Sequence, residues 1–168
     1  MPTSRPMQTS GKLGEILTYY SDVDDLKGEM EGWRDNIPDS LQSSDKYSQV
    51  DETADTLGSA HGELEEACDR IIKLLENIPK KENEVGILDM PIVYTERKMY
   101  KGYSMPRWVR LSNPCAALGA VVQYIEDHME DISKDLAADC IEELKSLIKQ
   151  VESAIEDLGN VDFPSMFG

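Results

Sequence analysis

The stretch that decides the fold covers residues 47–78 and runs YSQVDETADTLGSAHGELEEACDRIIKLLENI. Its apolar or small residues, with one histidine among them, recur at alternating intervals of three and four, which is the spacing of a heptad repeat. They are Tyr47, Val50, Ala54, Leu57, His61, Leu64, Cys68, Ile71, Leu75 and Ile78. A period of 3.5 keeps one stripe of a helix facing the same neighbour. The stretch therefore predicts one long helix, beginning at Ser44, whose stripe, here called the seam, other helices must cover.

Prolines mark both ends of this predicted helix. Pro38 precedes it and Pro79 ends it, because proline has no amide hydrogen and clashes with the preceding turn. Upstream, residues 10–37 form a second amphipathic pattern, and the polar run 36–44 favours a chain reversal. We therefore predict a long antiparallel helical hairpin over residues 10–79, within a coiled-coil bundle.

Residues 80–113 have a different character. The heptad is lost, prolines recur, and three short apolar runs suggest strands or extended loop, at 85–88, 92–95 and 108–111. Lys101 and Gly102 suit the turn of a β-hairpin that joins the last two runs. The segment predicts a small β-hairpin or loop lobe inserted between helices.

A long helical pattern covers residues 114–158 and predicts one long helix or two nearly collinear helices. Asn113 and Pro114 are typical of the cap and first turn of such a helix. Residues 1–9 lack periodicity and predict a mobile tail, and residues 159–168 predict a C-terminal tail whose phenylalanines fold back on the bundle. The predicted fold class is mainly α.

Composition limits the function. The chain has 17 basic and 33 acidic side chains, a formal net charge of -16, which disfavours duplex DNA and anionic membranes as partners and suits a basic one. The same charge also serves solubility alone. The sequence has no signal-peptide pattern and no apolar run of about 20 residues that could span a bilayer. Three separated cysteines, Cys68, Cys115 and Cys140, are predicted to be buried thiols, so we expect a reducing cytoplasm.

One segment departs from the acidic character of the chain, because residues 97–125 contain no acidic side chain. Arginine pairs with phosphate or carboxylate and aromatic rings stack on bases, so their combination favours contact with a nucleotide, a single strand or an acidic protein surface. The candidate binding residues, here called the basic cluster, are Arg97, Lys98, Tyr100, Lys101, Tyr103, Arg107, Trp108 and Arg110. In the alternative interpretation, these bases pair with acidic faces of the protein's own helices or of a second subunit.

We predict no catalytic residue, no cofactor and no metal site. The segment GELEEACDR, residues 62–70, is similar to the paired-carboxylate helices of all-α nucleotide pyrophosphohydrolases, but Glu63 and Glu66 are expected on the outer face of the helix. The histidines, His61 and His128, bring too few soft ligands for zinc. No serine or cysteine has a histidine and an acid at suggestive spacing. An enzyme of the pyrophosphohydrolase class remains as an alternative.

Two stretches resemble a known group of proteins. They are EGWRDNIPDSLQSSDKYSQVDE, residues 31–52, and EDLGNVDFPSMFG, residues 156–168. A tryptophan followed by an acidic-Asn-x-Pro turn, together with a closing Phe-Pro-x-Met-Phe, resembles short acidic helical bacteriophage proteins of uncharacterised function. The resemblance implies a phage origin and the host cytoplasm as location. The shorter relatives continue their second helix without interruption, which implies that residues 80–113 are an addition.

Together these observations predict a non-enzymatic phage protein that binds and inhibits or redirects a host component, with anti-defence activity or imitation of nucleic acid as its role. The alternative is a protein that sequesters an anionic nucleotide with the basic cluster, and a structural assembly protein is a third possibility. Two long seams leave more apolar stripe than one helical hairpin can cover, so we also predict a homo-oligomer.

Overall fold

The computed structural model describes residues 4–80, 82, 84–99 and 104–164. Within these ranges the chain is mainly helical with one small antiparallel sheet, as the sequence predicted. The strands are β1 (Ser4–Lys12) and β2 (Pro91–Met99), and the helices are α1 (Leu13–Ile16), α2 (Tyr20–Asp35), α3 (Asp45–Glu76), α4 (Arg107–Asp127), α5 (Met129–Ser133) and α6 (Ala138–Gly159). Short 3-10 turns occupy Asp39–Leu41 and Ile87–Asp89.

Helix α3 begins where the sequence predicted. The Ser44 hydroxyl accepts a hydrogen bond from the Tyr47 amide at 3.2 Å, which satisfies one of the unpaired donors of the first turn. Along the seam, Leu57, Leu64 and Ile71 are completely buried. The heptad pattern therefore identified the core-facing side of the helix correctly.

Two helices cover the seam, and each runs antiparallel to α3. Toward α2, the Tyr20 hydroxyl donates to Asp69 at 2.9 Å and Arg34 contacts Asp51 at 3.0 Å. The start of α2 therefore lies beside the later part of α3, and the end of α2 lies beside the early part of α3. Toward α6, Arg70 Nη2 donates to Glu143 at 3.1 Å and the Gln150 side chain donates to the Glu63 carbonyl at 3.1 Å, so α6 also runs antiparallel to α3. A second buried stripe lies beside the seam because α3 packs against both neighbours; it consists of Thr53, Ala60, Ala67 and Leu74.

The sheet differs from the predicted hairpin. β2 pairs antiparallel with β1 from the start of the chain, in the register Thr9 to Tyr94, so the strands are distant in sequence. The mobile tail predicted for residues 1–9 is therefore wrong for residues 4–9. Ile92 and Tyr94 alternate toward the core, and this alternation is the strand signal that the sequence did contain. The proposed turn at Lys101 lies outside the described residues.

The predicted hairpin over residues 10–79 also needs correction at its start. Residues up to Lys12 belong to β1, and the helix that follows is interrupted after Ile16. The Thr18 hydroxyl donates to the Glu15 carbonyl at 2.6 Å and takes an acceptor that a continuous helix would have used. The apolar residues keep their helical spacing across this break, so the periodicity of the sequence did not predict the interruption.

The lobe boundary predicted at residue 113 is wrong, because α4 already begins at Arg107. The run 108–111, predicted as a strand, is helical, and the run 85–88 overlaps a 3-10 turn. Pro106 has the extended backbone of a helix N-cap, so it is this proline that precedes the helix. Pro114 lies inside α4, and Asn113 does not cap it.

Residues 114–158 form neither one helix nor two collinear helices. α4 and α6 pack side by side, because Glu126 near the end of α4 lies against Glu152 of α6. The extended backbone of Ala137 lets the chain turn before α6. The reversal buries Ile125 and Ile148, which collinear helices would have exposed.

At the C-terminal end, Gly159 ends α6 as predicted, and Phe163 is half-buried against the core. The second phenylalanine of the predicted tail lies outside the described residues. None of the helices described is both long enough and apolar enough to cross a membrane.

Candidate functional site

The structure describes five of the eight predicted residues of the basic cluster. Arg97 and Lys98 lie near the end of β2, and the other three occupy the first turn of α4. Tyr100, Lys101 and Tyr103 lie outside the described residues. The five described members are Arg97, Lys98, Arg107, Trp108 and Arg110.

Two arginines of the cluster share one carboxylate on α2. Arg110 forms a bidentate ion pair with Glu29, in which the Arg110 Nη1 lies 2.9 Å from Oε1 and the Arg110 Nη2 donates to Oε2. Arg107 Nε lies 3.3 Å from the same Oε1. The hydrogen bond from Arg110, with Arg107 beside it, holds the pKa of Glu29 below its ordinary value. These contacts are the intramolecular pairing that the alternative interpretation expected.

The two tryptophans each face an arginine. The guanidinium of Arg107 lies 5.5 Å from the ring centre of Trp33 on α2, and that of Arg97 lies 5.9 Å from the ring centre of Trp108. Such cation–π contacts contribute about 0.5–1 kcal/mol at exposed sites. Trp33 is half-buried against the core, whereas Trp108 remains 53% exposed.

A small cavity of about 270 Å³ adjoins the basic cluster, and its lining is acidic. Asp22, Asp25 and Glu96 border it together with Arg110. Partial burial, and then the charge of Asp25, raise the pKa of Asp22. Carboxylates at this density repel a phosphate group, so the cavity is poorly suited to an anionic nucleotide.

A larger groove of about 680 Å³, here called the acidic groove, lies between the first half of α3 and the end of α6. Four carboxylates line it: Glu52, Asp55, Asp157 and Asp162. No lysine or arginine belongs to the described lining, and residues 165–168, which follow it in the chain, contain none. The described lining therefore combines four carboxylates with no basic side chain.

Small side chains make room for this groove. Thr53 and Ala60 are buried at its floor, and Thr56 and Ser59 add hydroxyl groups along its wall. Longer side chains at these positions would fill the space between α3 and α6. The acidic groove thus combines carboxylates with hydroxyl donors and acceptors.

Sequence reasoning missed this groove. A signal was present, since Gln49, Glu52, Thr56 and Ser59 recur at intervals of three and four and run parallel to the seam. Such a polar stripe beside an apolar one is typical of an exposed helix flank. Only the approach of α6 makes it the wall of a groove.

The groups weighed for catalysis lie as expected from the sequence. His61 is half-buried between α2 and α3, with Asp24 at 3.9 Å and Glu65 at 3.4 Å, while His128 is exposed. Glu63 and Glu66 are exposed. Burial raises the pKa of the Cys68 thiol to about 12 and that of Cys115 to about 11, so both are protonated and poorly nucleophilic at neutral pH.

Across the part of the chain that the structure describes, no group of three or more histidine, cysteine, aspartate or glutamate side chains is placed to hold a metal ion. Comparisons with protein-family models, with curated proteins and with solved structures found no match.

Proposed function

We propose that this protein is a non-enzymatic binding protein whose acidic groove engages a basic protein surface. The observation that carries the proposal is the lining of the groove: four carboxylates with no basic side chain among the described residues. A partner rich in lysine and arginine would regain, on binding, the charge interactions that the groove lacks internally.

The charge of the neighbouring helices supports the same partner. α3 carries nine acidic and three basic side chains, and α6 carries six and two. Surfaces that bind nucleic acid are basic. The negative electrostatic potential of α3 and α6 therefore favours a nucleic-acid-binding host protein as the partner class. Within this proposal the protein imitates nucleic acid, and α2 with α3 serves as a coiled-coil scaffold for the groove.

We propose that the protein is of phage origin and acts on a host component. A small acidic protein that covers the nucleic-acid site of a host component would inhibit or redirect it, and anti-defence activity in the host cytoplasm belongs to this part of the proposal. It rests on the resemblance of residues 31–52 and 156–168 and on the charge of the chain.

Sequestration of a nucleotide receives less support. Glu29 already pairs with both Arg107 and Arg110, and the adjoining cavity is acidic. The remaining described members, Arg97, Lys98 and Trp108, keep this alternative as a prediction, which equilibrium dialysis with ATP would test.

The decisive experiment compares two variants of equal net charge. In the groove variant, Glu52→Gln, Asp55→Asn, Asp157→Asn and Asp162→Asn remove the four carboxylates. In the control, Glu15→Gln, Glu84→Gln, Glu130→Gln and Asp135→Asn remove four exposed carboxylates elsewhere. The probe is a lysine- and arginine-rich peptide titrated calorimetrically at low salt.

We expect the groove variant to bind the peptide about tenfold more weakly and the control about twofold more weakly, because local charge acts over roughly one Debye length. Equal losses in the two variants would mean that only net charge matters, and the acidic groove would then lose its role.

A further inference from the structure

A second surface, remote from the acidic groove along the chain, has the features of a docking site. β1 is the edge of the sheet: it pairs with β2 on one side, whereas α4 packs on β2. Its side chains are mostly exposed, including Arg5, Met7, Gln8 and Ser10. A nine-residue edge strand offers the outward-facing backbone groups of its free side to an added strand, and none of the described strands pairs with that side.

The hydrogen bonds determine which groups face outward. The Asn113 side chain bonds both the amide and the carbonyl of Arg97, at 2.8 and 2.9 Å, so those groups point away from β1. Successive residues of an antiparallel strand face alternate edges. Pro6, opposite Arg97, must then face outward as well, and so must Gln8, Ser10 and Lys12.

Two further observations agree with this alternation. If the even-numbered residues of β1 face outward, the odd-numbered residues face β2. The Leu13 amide, which directly follows β1, accordingly donates to the Met90 carbonyl at 2.9 Å. Pro6 and Pro91, which have no amide hydrogen, both fall at outward-facing positions. Within the part of the chain that the structure describes, no hydrogen bond reaches the amides of Gln8, Ser10 or Lys12 from the outer side.

Charge distinguishes this edge from the rest of the molecule. The two strands carry four basic side chains and one acidic one in a chain whose net charge is -16. The basic residues are Arg5, Lys12, Arg97 and Lys98, and all four are exposed. Lys12 contacts Asp89 at 3.8 Å, and an ion pair between two such exposed side chains is weak, whereas Lys98 contacts the more buried Glu96 at 3.2 Å.

The two edges of the sheet are also unequal. Asn113 occupies the outer edge of β2 at Arg97, which blocks a strand from continuing there. β1 has no such side-chain clamp among the described contacts. An incoming strand would therefore add to β1.

We propose that the outer edge of β1 binds an extended acidic peptide segment of a partner protein, which adds as a third strand. The amides of Gln8, Ser10 and Lys12 would supply the main-chain hydrogen bonds, and the partner's carboxylates would meet Arg5 on one face of the sheet and Lys12 on the other. The missing amide of Pro6 leaves the stretch from Gln8 to Lys12 as the part that sets the register.

A second copy of the chain fits this edge less well. Antiparallel pairing of β1 with itself would bring two basic strands together, and each copy carries the same net charge of -16. An acidic segment meets the opposite local charge instead. Self-pairing is therefore an outcome that the test must distinguish.

The test uses two nine-residue peptides, one repeating glutamate-glutamate-threonine and one repeating lysine-lysine-threonine, so that each presents charge on both faces of the sheet. Each is titrated against the intact protein while amide hydrogen exchange is followed by NMR. The lysine peptide can also occupy the acidic groove, so the two peptides are compared by protection of the β1 amides. We expect the acidic peptide to reach half-maximal protection there at about tenfold lower concentration at low salt. It should slow exchange at Gln8, Ser10 and Lys12 but not at Thr9, whose amide already faces β2.

A proline scan provides the matched variants. Ser10→Pro removes an outward amide only, so the melting temperature should stay close to that of the parent while binding of the acidic peptide falls about tenfold. Thr9→Pro removes an amide that bonds to β2 and should lower the melting temperature. Should Ser10→Pro also unfold, Arg5→Glu with Lys12→Glu keeps the backbone intact and should reverse the preference toward the lysine peptide.

Three results would overturn the proposal. One is equal protection of the β1 amides by the two peptides, and another is unchanged binding of the acidic peptide by folded Ser10→Pro. The third is a dimer in sedimentation that Ser10→Pro dissociates, which would assign the edge to a second copy. None of these results bears on the acidic groove, so the two proposals stand or fall separately.

Discussion

Glu29 accepts hydrogen bonds from Arg107 and Arg110, and so turns part of the predicted binding cluster into a contact between α2 and α4. Its side chain is about one-third exposed, as is that of Arg110. Reversal of both arginines to glutamate would set two new carboxylates against Glu29, Asp22 and Asp25. The surface role expected from the sequence is therefore only part of what these arginines do.

The pair can be measured by a double-mutant cycle with Glu29→Gln and Arg110→Gln. We expect a coupling free energy of about 0.5–1 kcal/mol at neutral pH, reduced from a buried value by solvent screening. Denaturant melts supply the four free energies of unfolding. The matched pair is Lys134→Gln with Asp131→Asn, whose side chains are 72% and 75% exposed and should couple negligibly.

The same pair predicts a pH dependence. Because the folded state lowers the pKa of Glu29, its contribution to stability is fully present above the ordinary glutamate pKa and is lost as the pH falls through the lowered value. The difference in melting temperature between the parent and Glu29→Gln should therefore shrink on acidification below about pH 4. A difference that grows instead would contradict the assignment.

Glu126 predicts the opposite pH dependence. A hydrogen bond with Glu152 across α4 and α6 raises its pKa, so the ionised pair destabilises the fold once the pH exceeds that value. Glu126→Gln should raise the melting temperature at about pH 7 and change it little at about pH 4. Glu130→Gln, at an exposed position in α5, is the control and should show no such contrast.

At the scale of elements, α3 organises the molecule because α2 and α6 pack on adjacent stripes of the same helix. Leu64 lies on the seam midway along it and has no exposed surface. Truncation there leaves a cavity between helices that hold one another in place. We therefore expect this truncation to destabilise the packing of α3 against both α2 and α6.

Leu64→Ala should lower the free energy of unfolding by about 2–5 kcal/mol, the range for large-to-small substitutions in packed cores. Urea melts monitored by circular dichroism measure it. Leu41→Ala is the matched control, because Leu41 is 53% exposed and should cost less than about 0.5 kcal/mol. A loss at Leu64 no larger than the control's would mean that the seam is not packed.

For the whole molecule, a net charge of -16 means that repulsion opposes compactness. Added salt screens this repulsion more than it weakens a few partly exposed ion pairs. We expect the melting temperature at pH 7 to rise as sodium chloride is raised from low concentration to about 0.5 M. The rise should disappear near the sequence pI of about 4.4, where the net charge vanishes.

The homo-oligomer remains a prediction, but its stated reason no longer holds. The seam was expected to leave apolar stripe for a second copy, and α2 and α6 of the same chain cover it instead. Sedimentation at high protein concentration is the measurement. Among the large apolar side chains of the described residues, those exposed are Met7, Leu41, Val85, Val93, Met105 and Trp108.

The sequence by itself determined α3, its cap at Ser44 and its buried seam, because helix period and capping act within a few turns of the same chain. Only the tertiary structure decided the partner of β2, since a strand signal such as Ile92 to Tyr94 does not say which distant segment will pair with it. The tertiary structure also decided the pairing of Arg107 and Arg110, because it depends on where α2 places Glu29. It likewise decided the acidic groove, which forms only because α6 lies against α3. Local patterns fix local conformation, whereas a site made by distant segments follows from packing, which the whole chain decides together.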